Sequence, residues 1–149
     1  MPVKIATTEA PAPFSRYAQA MRVSTSKDLV FVSGQVGVDL DGNLADSERG
    51  QHQQCWRNVL AILADQGLAA KDIIEMTVYI TTQDGVPLYR EVRDEMLNGH
   101  EAASTLLIIS GLANPDWLVE IAVIAEAPAF LVNQEHEQPP EAESATEED

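Results

Sequence analysis

The sequence predicts an α+β fold in which two helices cover one face of a five- or six-stranded sheet. Three observations lead there. Met76, Val78 and Ile80 alternate with Thr77, Tyr79 and Thr81, a period of two in β-favouring residues. Two longer stretches carry apolar residues at helical spacing instead, one around Trp56 and one around Leu88. The closing segments, about Ser104 to Ile109 and Trp117 to Ala125, are apolar on both faces and need cover on both sides. Two helices can serve one face, so the other is expected to pack against neighbouring subunits.

In chain order, Asp28-Leu29-Val30-Phe31-Val32-Ser33-Gly34-Gln35 reads as a strand ending in a glycine turn, with residues from about Met21 to Ser24 as its expected hairpin partner. Asp39 to Asn43 reads as a loop. The stretch Ser47 to Gln66 places Trp56, Val59, Leu60 and Leu63 on one helical stripe, widened by Ile62 and stopped by Gly67. After the strand at Met76 to Thr81 and a turn at Asp84-Gly85, Pro87 suits a first helical turn. Leu88, Val92 and Met96 then share a face up to the Asn98-Gly99 stop. From about Asn133 the chain becomes acidic and loses hydrophobic pattern, so residues 1–132 are expected to form the folded domain and 133–149 a solvated, disordered tail.

Nine basic residues against 24 acidic ones give a net charge of -15, which opposes attraction to phosphate backbones and anionic membranes. Neither nucleic acid nor membrane is an expected partner. Cys55 is the one cysteine, so no intrachain disulfide can form, and no apolar stretch approaches the ~20 residues of a membrane span. A cytoplasmic protein is the expectation. His52, His100 and His136 stand apart with no ligand-spaced partner, so no metal site is read. Ser33-Gly34-Gln35-Val36-Gly37 lacks both a P-loop lysine and the third glycine of a dinucleotide fingerprint, so no nucleotide cofactor is read. Cys55, inside a helix, reads as a packing residue.

One acid stands out. In Leu118-Val119-Glu120-Ile121-Ala122-Val123-Ile124-Ala125, alternation puts Glu120 on the face of Leu118, Ala122 and Ile124. A carboxyl group on a face otherwise built for burial is a candidate for proton transfer or for orienting water, because desolvation disfavours its charged form. A structural role between subunits is the competing reading. Trp117, after Asn114-Pro115-Asp116, serves either as a packing residue at the strand start or as a pocket wall.

Taken in order, Tyr17-Ala18-Gln19-Ala20, Phe31-Val32-Ser33-Gly34-Gln35, Asn58 with Ile62-Leu63, and Val119-Glu120-Ile121 with Ile124-Ala125 resemble the Rid family, also called YjgF/YER057c/UK114 or L-PSP. The similarity spans roughly Pro13 to Ala127. The resemblance implies a chorismate-mutase-like mixed sheet, a homotrimer built around a central barrel, and ligand clefts between subunits. Its best-known members are cofactor-independent deaminases that hydrolyse 2-imino and 2-amino-alkenoic acids.

The family's water-positioning glutamate maps to Glu120, and its carboxylate-binding arginine maps to Ala103 within Glu101-Ala102-Ala103-Ser104. Alanine offers neither charge nor a bidentate fork, which argues against ordinary 2-imino acid deamination. Arg90, at the place of the family's helical asparagine, and Arg16, beside Tyr17, are candidate replacement anchors, with surface ion pairing as the bland alternative. Tyr17, Ser33, Ser104 and Thr105 would supply hydrogen bonds. The implied function is that of a divergent Rid protein binding, and as an enzyme hydrolysing, a small imine, enamine or carbonyl metabolite. The alternative is a non-catalytic trimer that senses a small ligand or acts through protein contacts. A ribonuclease reading fits poorly with the charge and the lack of a basic groove.

Overall fold

The computed structural model describes residues 1–129; the acidic segment expected at 133–149 lies outside them. Six strands and two helices follow in the order β1 (Val3–Ile5), β2 (Ala20–Arg22), β3 (Asp28–Val36), α1 (Glu48–Asp65), β4 (Ile73–Ile80), α2 (Gly85–Met96), β5 (Ala103–Ile108) and β6 (Val119–Ala127). β3, β6, β4 and β5 form one mixed sheet in that spatial order, with β6 antiparallel to both neighbours and β4 parallel to β5. Both helices lie on one face of it, as the periodicity predicts.

The helix ends have local causes. Ser47 Oγ accepts the Gly50 amide at 3.0 Å and starts α1. At its other end Leu68 N donates to Leu63 O and Gly67 N to Ala64 O, with Gly67 at φ +71°, the paired bonds of a Schellman stop. α2 closes on Asn98 and Gly99, both at positive φ. From the helices, Trp56, Val59 and Leu63 of α1 and Tyr89 and Val92 of α2 meet Met76, Val78 and Ile80 of β4 and Val119, Ile121 and Val123 of β6. All are buried.

Two expectations are corrected. The sheet has four strands, and β2 does not pair with β3: it joins β1 in a separate two-stranded ribbon, with Ile5 opposite Ala20 and Val3 opposite Arg22. Local hairpin propensity lost to a non-local partner. β6 is apolar on both sides and occupies the sheet interior between β3 and β4, pairing Phe31 with Ile124 and Val32 with Val123. β2 is instead led away along the β5 edge, where Ala18 N donates to Ala102 O at 2.9 Å and Ala18 bridges Ala103.

The face turned away from the helices can be read row by row. Phe31, Ile124, Glu75 and Ala103 form one row; Ala122, Thr77 and Thr105 the next; Glu120, Tyr79 and Leu107 the third. Leu29, Phe31 and Leu107 on this face are 45%, 70% and 40% exposed, so a largely apolar surface meets solvent in the single chain.

Candidate functional site

A cleft of about 220 Å³ opens where α2, the β5 edge and the segment preceding β2 meet. α2 contributes Arg90 and Arg93, three residues apart and so on one helical face. β5 contributes Ser104 and Leu106, alternate residues on the helix side of the sheet. Phe14 and Tyr17 close the third side, and Tyr17 Oη accepts the Phe14 amide at 3.1 Å.

The two arginines differ. Arg93 is 3% exposed: its Nε and Nη2 donate to Asp94 Oδ1 at 3.0 and 2.8 Å, and Nη2 also donates to Ser15 Oγ at 3.0 Å. Its guanidinium carbon sits 5.7 Å from the centroid of the Tyr89 ring, a cation–π arrangement. Arg90 is exposed and makes no hydrogen bond or ion pair with any described residue. The cleft thus presents hydroxyl groups, an apolar wall and one unengaged guanidinium, a set suited to a small carboxylate.

Glu120 stands on the opposite face of the sheet. At β3 a bulge sets Ser33 and Gly34 together against Ala122, between the Val32–Val123 and Gln35–Ile121 pairs. The Glu120 side chain lies across that bulge: a Cβ added at Gly34 would fall 2.8 Å from Glu120 Cδ and closer still to its Oε1. Only glycine leaves that space open. The carboxylate is half-buried and has no hydrogen bond or ion pair with a described residue.

The family described as Endoribonuclease L-PSP matches residues 7–127. A 2-iminobutanoate/2-iminopropanoate deaminase of Salmonella typhimurium is 36% identical over 125 residues, covering 81% of this chain and 94% of that protein. The chain belongs to the Rid, or L-PSP, family. A RutC family protein of Aquifex aeolicus is 38% identical over 79 residues, which cover 52% of this chain and 61% of that one. Of solved structures, the Rid family protein YyfB of Yersinia pestis superposes with a TM-score of 0.73 at 20% identity, covering 83% of this chain and 97% of that chain, a likeness of fold. Escherichia coli TdcF with bound serine gives a TM-score of 0.63 at 30% identity, with 83% and 97% covered.

In this Rid chain the residues singled out from sequence fall into separate groups. Tyr17, Arg90 and Ser104 come together in the cleft. Glu120, Ser33, Ala103 and Thr105 share the far face. From the Glu120 row to Ser104 is two strand spacings across and three residues along, roughly 10 Å in each direction. Arg16 points elsewhere, its Nε 3.9 Å from Asp94 Oδ2 in a surface ion pair. Trp117 is half-buried at the entry to β6, its amide bonded to Asn114 O at 3.1 Å, and lines no part of the cleft.

Three residues, Arg93, Asp94 and Gly34, escape a reading of the sequence, whereas Cys55 is the packing residue it reads as. Arg93 and Asp94 have the spacing of ordinary helix-surface charges, and nothing local signals that Arg93 is buried. Gly34 reads as a turn residue, whereas it lies in a bulge under Glu120. Cys55 is buried beneath β6, its Sγ donating to Val119 O at 3.7 Å. Burial first, then the nearby Glu120 charge, pushes the Cys55 thiol up to about 12, so it is a packing residue and not a thiolate nucleophile. Among the described residues no group of His, Cys, Asp and Glu is arranged to hold a metal ion.

Proposed function

We propose that this chain binds a small imine, enamine or carbonyl metabolite in clefts between subunits and hydrolyses its carbon–nitrogen bond. The observation that carries the reading is Glu120, a half-buried carboxylate with no hydrogen bond or ion pair among the described residues, seated on the Gly34 bulge of a largely apolar face. Such a group is a free acceptor for a water proton. The deaminase relatives support the reaction class, and the bound serine of TdcF supports a small-molecule ligand.

Because Glu120 and the Arg90 cleft occupy opposite faces of one sheet, they meet only if a second copy brings its Glu120 face to the cleft. The exposed Leu29, Phe31 and Leu107 face supports association between copies, and a homotrimer in which a neighbour brings its Glu120 to the cleft is the assembly proposed. Arg90 takes the ligand's carboxylate in place of the arginine absent at position 103. Tyr17 and Ser104 hydrogen-bond the ligand in that cleft, and Ser33 lies beside the acid. Water oriented by Glu120 adds across C=N, Glu120 taking one water proton and passing it to nitrogen; the hydroxyl of the resulting carbinolamine then gives its proton, by way of Glu120, to the nitrogen as the C–N bond breaks and C=O forms, and ammonia and a carbonyl product leave. Generating 2-iminobutanoate in situ and following keto-acid release tests this. Glu120→Gln is expected to lose about a hundredfold or more in rate while keeping ligand affinity; unchanged turnover removes Glu120 from the mechanism.

A specific observation favours a second reading, a ligand-binding trimer without turnover. Ala103 is paired in register with Glu75, so the place of the missing arginine is flanked by an acid. Thermal stabilisation by keto acids with no hydrolysis by wild type would support it.

A further inference from the structure

We infer that Asp94, by occupying Arg93, restricts the Tyr17–Arg90–Ser104 cleft to small monocarboxylates and leaves Arg90 as its single carboxylate anchor. The inference rests on the cleft assignment proposed above for the ligand's location, and adds the charge class and the residue that sets it.

Two arginines line the cleft, enough in number to bind a dicarboxylate. Their environments separate them. Arg93 gives two N–H donors to a single oxygen of Asp94 at 2.8 and 3.0 Å and one to Ser15 Oγ at 3.0 Å, all while buried. Its positive charge is matched by an adjacent carboxylate, and the Nε–Nη2 edge of its fork is taken. A second anionic group entering beside it meets the opposing Asp94 charge as well as the cation, which reduces the net attraction. Arg16 does not alter this balance, since its contact with Asp94 Oδ2 is long, 3.9 Å, and its side chain is 61% exposed and screened.

Arg90 has no such partner among the described residues and stays open to a planar anion. Beyond it, Leu106 and Phe14 form an apolar wall, which suits a short alkyl tail. The volume of about 220 Å³ lies below the ~300–1,000 Å³ of drug-sized pockets and sets the scale of a small metabolite. Asp94 is therefore a specificity-determining residue that acts through Arg93.

The test is calorimetric titration of the full chain with 2-oxopentanoate and 2-oxoglutarate, five-carbon acids that differ by a terminal methyl against a carboxylate. Wild type is expected to prefer 2-oxopentanoate by about tenfold or more, and Arg90→Gln to weaken that acid by about tenfold or more. Asp94→Asn is expected to cut the preference by about tenfold by releasing Arg93, while Asp94→Glu keeps it. A merely structural Asp94 would weaken both acids equally and leave their ratio unchanged, which overturns the inference. Equal affinity of wild type for the two acids, or no binding of either, also overturns it and needs no variant to fold. Hydrolysis is measured separately: a chain that shows the preference but no keto-acid release defeats the catalytic reading alone, whereas release without the preference defeats this inference alone.

Discussion

At the scale of single residues, the position of Glu120 depends on an absent side chain. The bulge at Ser33-Gly34 leaves room for the carboxylate because Gly34 has no Cβ, and an added methyl would come within 2.8 Å of Glu120 Cδ. Gly34→Ala is expected to keep the fold, since the neighbour that must give way is the flexible end of a side chain, but to displace the acid. Its keto-acid release should fall about tenfold or more, towards the level of Glu120→Gln, with circular dichroism unchanged. Ala103 has a counterpart on the next strand. Glu75 stands opposite it in register, and its Oε1 already accepts Thr77 Oγ1 at 2.9 Å. In Ala103→Arg the restored guanidinium should therefore pair with Glu75 and be lost as a free anchor. Tighter keto-acid binding is expected in the double variant with Glu75→Gln than in Ala103→Arg alone, a comparison that titration reads directly.

At the scale of elements, α1 sets where β6 begins. Gln51 is 4% exposed; its Nε2 donates to Asp116 O at 3.1 Å and its Oε1 accepts the Leu118 amide at 2.9 Å, two residues before Glu120. Asn58, two helical turns on, donates to both Val36 O and Val38 O at 3.1 and 2.9 Å and fixes the end of β3. The two amides thus tie the helix to both strands that carry the acid and its bulge. Gln51→Leu or Asn58→Leu leaves partly buried backbone groups without partners, and each is expected to cost about 1–3 kcal/mol in urea unfolding. Gly37 is more restricted: a Cβ there would lie 2.6 Å from the Gln51 Cα, a backbone atom that cannot step aside. Gly37→Ala should destabilise by about 1–3 kcal/mol or more, with a lowered denaturation midpoint.

At the scale of the whole molecule, acid stability and assembly are open to measurement. His52 is fully buried, with neither ring nitrogen hydrogen-bonded and Glu48 Oε1 3.7 Å from its Nε2. Burial, and then the neighbouring Arg49 charge, hold its imidazole down at about 4 against an ordinary 6.5. As pH falls through 6.5 the unfolded chain takes up this proton and the folded chain does not until about 4, so the fold loses stability across that window. The loss from this one group is up to about 3 kcal/mol. Melting temperature should fall more steeply for wild type than for His52→Leu over that range; parallel curves would show that His52 does not contribute. For assembly, light scattering is expected to give about three times the 16.2 kDa chain. Phe31→Asp, on the apolar face at 70% exposure, should shift the mass towards one chain and abolish hydrolysis while leaving secondary structure intact.

Period-two and helical spacing are enough to locate α1, α2, β4 and the two closing strands, because each signal is carried within a few consecutive residues. The Ser47 start and the Gly67 stop are equally local. So is the anomaly of Glu120, since alternation alone puts it on an apolar face. Strand pairing is not local: β3 takes β6, from the far end of the domain, as its neighbour in the sheet, and β2 goes to β1 instead. The cleft is a tertiary product too. Arg93 is neutralised and Arg90 left free by burial and by contacts with Ser15 and Asp94, and neither burial nor the folding-back of residues 14–17 onto α2 is written in the spacing of charges along the helix. Packing likewise splits the predicted residues between two faces of one sheet, because neighbouring residues on a strand point in opposite directions and Ser104 faces the helices while Ala103 and Thr105 face away.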